Sequence, residues 1–173
     1  MLPFPGEDVK RAIFDIEDNK ASGPDGYSSC FFKEAWPCSG GDVIEAILNF
    51  FQSCKLLKQI NATTLCLIPK VEQPTDVSQF RPIACYNVIY KAISKMLCSR
   101  LKKVLPTLID QVQSAFVENR VILHNIFICQ DMLKGYKRKN LLARCTPKVD
   151  LKKAYDSLNW EFIKEVLIGL NFP

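Results

Sequence analysis

Asp150 closes an apolar, strand-like run, Tyr155 follows five residues later, and a helix start comes next, all within Lys148-Val149-Asp150-Leu151-Lys152-Lys153-Ala154-Tyr155-Asp156-Ser157-Leu158-Asn159-Trp160. A carboxylate so placed suits a hard divalent ion such as Mg²⁺, which takes oxygen ligands. The backbone carbonyl of Leu151 offers a second oxygen beside it. A pair of such ions activates an attacking hydroxyl and stabilises the leaving pyrophosphate in phosphoryl transfer. In that chemistry Tyr155 is an aromatic floor under the nucleotide sugar. A ring there leaves no room for a 2′-hydroxyl and favours deoxynucleotides. Lys70 and Arg81 flank a polar loop and could grip triphosphate oxygens, Arg81 with its fork of donors.

Each of these residues also has an ordinary role open to it. Asp150 can be a strand-end carboxylate that caps a turn. Tyr155 can be core, and Asp156 a cap or a partner for a helix N-terminus. Lys70 after Pro69 and Arg81 before Pro82 can be plain loop charges. The single histidine, His124, reads as structural. A Ser-His-Asp triad finds no Gly-x-Ser-x-Gly elbow, and no Gly-x-x-x-x-Gly-Lys phosphate loop is present.

The elements that would position these residues are mostly helical. Val9, Ile13 and Ile16 share one helical face within 7–18. Lys20-Ala21-Ser22-Gly23-Pro24-Asp25-Gly26 then reads as a turn. Asp42 with Glu45 three residues on predicts a capping box, opening a helix that buries Ile44, Ile47, Leu48 and Phe51. Thr63 to Ile68 reads as a strand ended by Pro69. Ile89, Ile93, Leu97, Leu101 and Val104 recur at helical spacing over 87–104, with Pro106 as the stop. Ile122, Ile126, Cys129, Leu133 and Tyr136 mark a helix over 121–136. Arg144 to Leu151 reads as a strand, with Pro147 arguing for an edge or a late start. Ser157 is the expected cap of a last helix carrying Leu158, Phe162, Val166, Leu167 and Leu170. The pattern is α+β, mostly helical, without the regular βαβ alternation of a doubly wound sheet.

At 173 residues and 48% apolar content the chain suits one domain, or a piece of a larger one, with a real core. No run approaches the ~20 apolar residues of a membrane span, and Met1 to Gly6 does not read as a secretory signal. The eight cysteines include no Cys-x-x-Cys pair and read as reduced core residues of an intracellular protein, Cys66 and Cys129 within apolar runs. The net charge of +5 is unevenly spread. Residues 1–26 carry six acids against three bases, whereas residues 134–153 carry eight bases against Asp150 alone. Lys91, Lys95, Arg100, Lys102 and Lys103 form a second basic run. Such clustering fits contact with a phosphate backbone, and equally a solvated helix face with a basic loop.

Six segments in order carry a family resemblance. They are Lys20-Ala21-Ser22-Gly23-Pro24-Asp25-Gly26; Leu67-Ile68-Pro69-Lys70; Phe80-Arg81-Pro82-Ile83; Tyr90-Lys91-Ala92-Ile93-Ser94-Lys95 with Arg100-Leu101; Gln113-Ser114-Ala115-Phe116-Val117 with Arg120; and Val149-Asp150-Leu151-Lys152-Lys153-Ala154-Tyr155-Asp156. Together they resemble the reverse transcriptase of a plant non-LTR retrotransposon of the long interspersed element type. Ser22 departs from the proline more usual in that family, at a turn remote from the chemistry.

The resemblance implies a partial right-hand polymerase: a fingers-like region over residues 1–142, then the first palm strand and helix over 143–173. It implies an RNA template, a DNA primer and deoxynucleotides as partners, and nuclear action. It makes Asp150 the catalytic, metal-binding aspartate with Leu151 beside it. It puts Tyr155 near the nucleotide sugar, with Lys70 and Arg81 near the incoming triphosphate or template. Lys91, Lys95, Arg120, Lys137, Arg138 and Lys139 are the basic residues expected to meet nucleic acid. The family's Tyr-x-Asp-Asp segment has no counterpart after Asp150. The chain is therefore expected to be a truncated fragment that holds Mg²⁺ poorly, lacks polymerase activity alone, and tends to aggregate through stranded apolar surface. Two other readings stay open: a non-catalytic nucleic-acid-binding module, and a helical interaction domain.

Overall fold

Pro5 fixes an extended entry into the first helix, α1 (Gly6–Phe14), whose Val9, Ala12 and Ile13 face inward while Glu7 and Asp8 sit in the electropositive first turn. In the computed structural model, which describes residues 3–134, 145, 147, 149 and 157–172, seven further regular elements follow. They are α2 (Ser29–Glu34), α3 (Trp36–Ser53), β1 (Thr63–Pro69), β2 (Phe80–Tyr86), α4 (Val88–Leu108), α5 (Ile122–Leu133) and α6 (Trp160–Gly169), with a single 3-10 turn at Val77–Gln79. About half of the chain is helical and the sheet has two strands, an α+β composition.

The chain divides into two compact units, Leu2–Asn119 and Arg120–Pro173. In the first, α1 packs against α2, α3 and α4. Val9 and Ile13 of α1, Val43 and Ile47 of α3, and Val88, Ala92, Ile93 and Met96 of α4 close one core, joined by Phe4, Ile16 and Phe32. Val9, Ile13, Ile47, Val88 and Ala92 of this set are essentially inaccessible, and each of the first four is worth about 1.5–3 kcal/mol of transfer free energy. In the second unit, the described residues of α5 and α6 include no buried side chain. The proposed division at residues 142 and 143 lies outside the described residues.

Several expected boundaries move. Asp42 does not start a helix: α3 begins at Trp36 and runs through it. Pro37 sits in the first turn, where its missing amide proton has no helical acceptor to lose. Gly40 is a packing requirement within that helix, since a β-carbon there would meet the Trp36 ring at 2.8 Å. Pro106 does not stop α4, which continues to Leu108 with Ile109 N–H donating to the Leu105 carbonyl at 3.0 Å. In the last turn a proline forfeits one helical bond and no more of the ladder. The buried face of α4 runs through Val88, Ala92, Ile93 and Met96, and Leu97 and Val104 are exposed.

Residues 80–86 form a strand, although Arg81-Pro82 reads locally as loop. Pro82 is tolerated because β2 is an edge strand among the described residues. Asn159, not Ser157, caps α6; its side-chain oxygen accepts from the amides of Glu161 and Phe162 at 2.9 and 3.3 Å. The cysteines are free thiols, as expected, but not core: Cys66 and Cys129 are exposed and only Cys85 is half-buried. Of the strand expected over 144–151, residues 145, 147 and 149 carry no strand assignment and the remainder lie outside the described residues. Tyr136 also lies outside them.

Candidate nucleotide and nucleic-acid site

β1 and β2 pair antiparallel, with Ile68 opposite Arg81 and Pro69 opposite Phe80. The ladder continues one step further, where the Lys70 amide donates to the Gln79 carbonyl at 2.7 Å. Lys70 therefore follows Ile68 by two residues on the same strand direction, on the face that carries Arg81. Both side chains are exposed. The Lys70 ammonium donates to the Ser78 carbonyl at 2.7 Å, which turns it back over the connection.

That connection is built to a fixed shape. Asp76 and Gln79 form a capping box on the 3-10 turn: Asp76 Oδ1 accepts from Ser78 N–H at 2.7 Å, and Gln79 Oε1 accepts from the amides of Thr75 and Asp76. Hydrogen bonds from the Ser78 side chain and amide hold the Asp76 carboxyl below its ordinary value of 3.8. Two cationic side chains are thus brought to one end of a hairpin whose register and turn are both specified. Sequence reasoning paired Lys70 and Arg81 by chemistry; the strand that aligns them was not read.

Lys91 and Lys95 take a different place. From α4 they reach across to the segment that follows α1, Lys91 Nζ donating to the Ala21 carbonyl and Lys95 Nζ to the Asp15 carbonyl at 2.8 Å. Lys95 also pairs with the Asp15 carboxylate at 3.6 Å. Gly23 packs directly on Asn87, the buried residue preceding α4, whose side chain accepts from Asp25 N–H and donates to the Gln59 carbonyl at 2.9 Å. Ser29 and Lys33 of α2 bind the same segment, donating to the carbonyls of Glu17 and Ile16. The Lys20–Gly26 turn is thereby moored to the start of α4. Asn87 and Ser29 drew no attention in the sequence because an isolated polar residue carries no periodic signal.

Arg120 is half-buried and engaged in contacts of its own. Just before it, Ser114 and Val117 are buried while Phe116 is 92% exposed in a left-handed backbone conformation (φ 64°). Asp150, Leu151, Tyr155, Lys137, Arg138 and Lys139 lie outside the described residues. Among the described residues no set of three His, Cys, Asp or Glu side chains can hold a metal ion. The expected metal-holding residues, Asp150 and Leu151, lie outside them, and no catalytic step through a metal is drawn from the described residues. No described helix is long and apolar enough to cross a membrane.

The chain is similar to the transposon TX1 uncharacterized 149 kDa protein of Xenopus laevis, 27% identical over 170 residues, 98% of this chain. It spans only 13% of that relative's length. The model of the family described as reverse transcriptase (RNA-dependent DNA polymerase) matches residues 68–173, from the end of β1 through Lys70, Arg81, Asp150 and Tyr155. Polymerases of this family act on nucleic acid templates and primers with nucleotide substrates, and generally need a divalent metal ion. With more than half of its length matched in this way, the chain belongs to the reverse transcriptase family.

Proposed function

We propose that this chain is the fingers and opening palm of a non-LTR retrotransposon reverse transcriptase of the plant type, acting inside the cell, in the nucleus, on an RNA template and a DNA primer. The observation that carries this reading is the common face of Lys70 and Arg81 at the end of the β1–β2 hairpin. A lysine point charge and an arginine fork on one face of a hairpin end suit the oxygens of a triphosphate. Asp150, with the Leu151 carbonyl, is the proposed Mg²⁺ ligand and catalytic aspartate, and Tyr155 the residue under the deoxynucleotide sugar. Arg120, Lys137, Arg138 and Lys139 are proposed to meet the template–primer backbone. Lys91 and Lys95 contribute to that surface by holding the α4 face in shape. Polymerisation belongs to the whole enzyme; the share proposed for this chain is to grip nucleotide and template.

Binding of a deoxynucleoside triphosphate tests the reading. Affinity is expected to fall in Arg81→Ala and again in Lys70→Ala, since each removes a charge-assisted contact to the triphosphate oxygens. Affinity unchanged in both variants would sink it.

A further inference from the structure

Cys66 lies opposite Ile83 and Cys85 opposite Thr64, which makes the two cysteines diagonal neighbours on one face of the hairpin. Their sulfurs are 3.7 Å apart. Cys66 is exposed and Cys85 half-buried, so a small disulfide reagent can reach the pair from solvent. We propose that Cys66 and Cys85 form a reversible dithiol–disulfide couple that locks the β1–β2 hairpin, with a small-molecule disulfide such as oxidised glutathione as the oxidant. This goes beyond the polymerase reading and does not rest on it.

A disulfide needs its sulfurs about 2.05 Å apart, an approach of less than ~2 Å from where they stand. Diagonal partners on an antiparallel pair have Cα atoms about 7–8 Å apart, at the upper limit for a disulfide, so closing the bond turns both side chains and also draws the two strands together locally. The Cys85 sulfur, by its hydrogen bond and its charge when ionised, raises the Cys66 thiol above its ordinary 9.0. Cys66 therefore rests as a thiol near neutral pH, and the couple is closed by exchange with a partner disulfide. One cysteine, as thiolate, attacks a glutathione sulfur and releases one glutathione thiolate. The other then loses its proton, attacks the mixed disulfide at the protein sulfur and releases the second. Two thiols are oxidised and one disulfide is reduced to two thiols, so the electrons balance. In a reducing compartment such a bond is transient, as in redox-sensing pairs.

The test treats the full native chain with oxidised glutathione, quenches by alkylating remaining thiols, and maps the linked peptides by mass spectrometry. The expected product joins Cys66 to Cys85, is lighter by two hydrogens, and reopens with reduced glutathione. The same treatment in denaturant should lose that preference. Cys66→Ser and Cys85→Ser should each leave the remaining cysteine carrying one glutathione. The proposal is overturned if native Cys66 and Cys85 each end as separate glutathione adducts, if either joins a different cysteine instead, or if the Cys66–Cys85 link forms only after unfolding.

Discussion

Gly23 lies so close to Asn87 that a β-carbon on it would fall 2.0 Å from Asn87 Oδ1 and 2.4 Å from Asn87 N. Part of that clash is with backbone, which cannot swing aside as a side-chain tip would. Gly23→Ala is expected to lower stability by about 1–3 kcal/mol, the range for overpacking a close contact. Denaturant melts of the two chains measure it. An unchanged midpoint would mean that the turn does not depend on this approach.

Lys91 separates structure from binding. Its ammonium serves the Ala21 carbonyl, so Lys91→Met should destabilise the first unit by about 1 kcal/mol while leaving the salt slope of RNA–DNA binding unaltered. Paired melts and binding curves check this. A fall in slope at unchanged stability would make Lys91 a direct phosphate contact.

Asp76 gives the hairpin turn a pH dependence of known sign. Its folded carboxyl titrates below the ordinary 3.8, because Ser78 donates to the charged form. The stabilisation is present above the unfolded value and is lost as pH falls through the lower, folded one. Amide exchange at Ser78 should therefore speed up, after allowance for intrinsic rates, only on acidification below about 3.8. Asp76→Asn should remove that dependence.

Asn159 holds both early amides of α6. Asn159→Ala should cost the helix about 1 kcal/mol. Faster amide exchange at Glu161 and Phe162, followed by NMR, checks it.

Periodicity located every described helix but α2, too short to show a repeat, because Val9 with Ile13, and Ile44 with Ile47, recur at the spacing a buried face requires. Ends were harder to place. A cap signal such as Asp42 with Glu45 is local, and a run of good contacts from Trp36 onward overrides it. β2 was missed because Arg81-Pro82 lacks any alternation, and its pairing is decided by a partner eleven or more residues away in sequence. Cys66 and Cys129 were misjudged because an apolar neighbourhood along the chain need not be covered in space. The cationic pair Lys70 and Arg81 was readable as chemistry, whereas its common face follows only from the register.

β1 also has a consequence for how the protein behaves in company. Its outer side, from Thr63 to Ile68, is an uncharged row of Thr-Thr-Leu-Cys-Leu-Ile with no proline inside it and no third strand among the described residues. β2 carries Arg81 and Pro82 on its own run, the residue types that discourage strand addition. Two copies meeting edge to edge would therefore join through β1, and a short uncharged stretch of high strand propensity is the kind that seeds ordered stacking. The concentration at which this protein can be stored should therefore be limited by that edge.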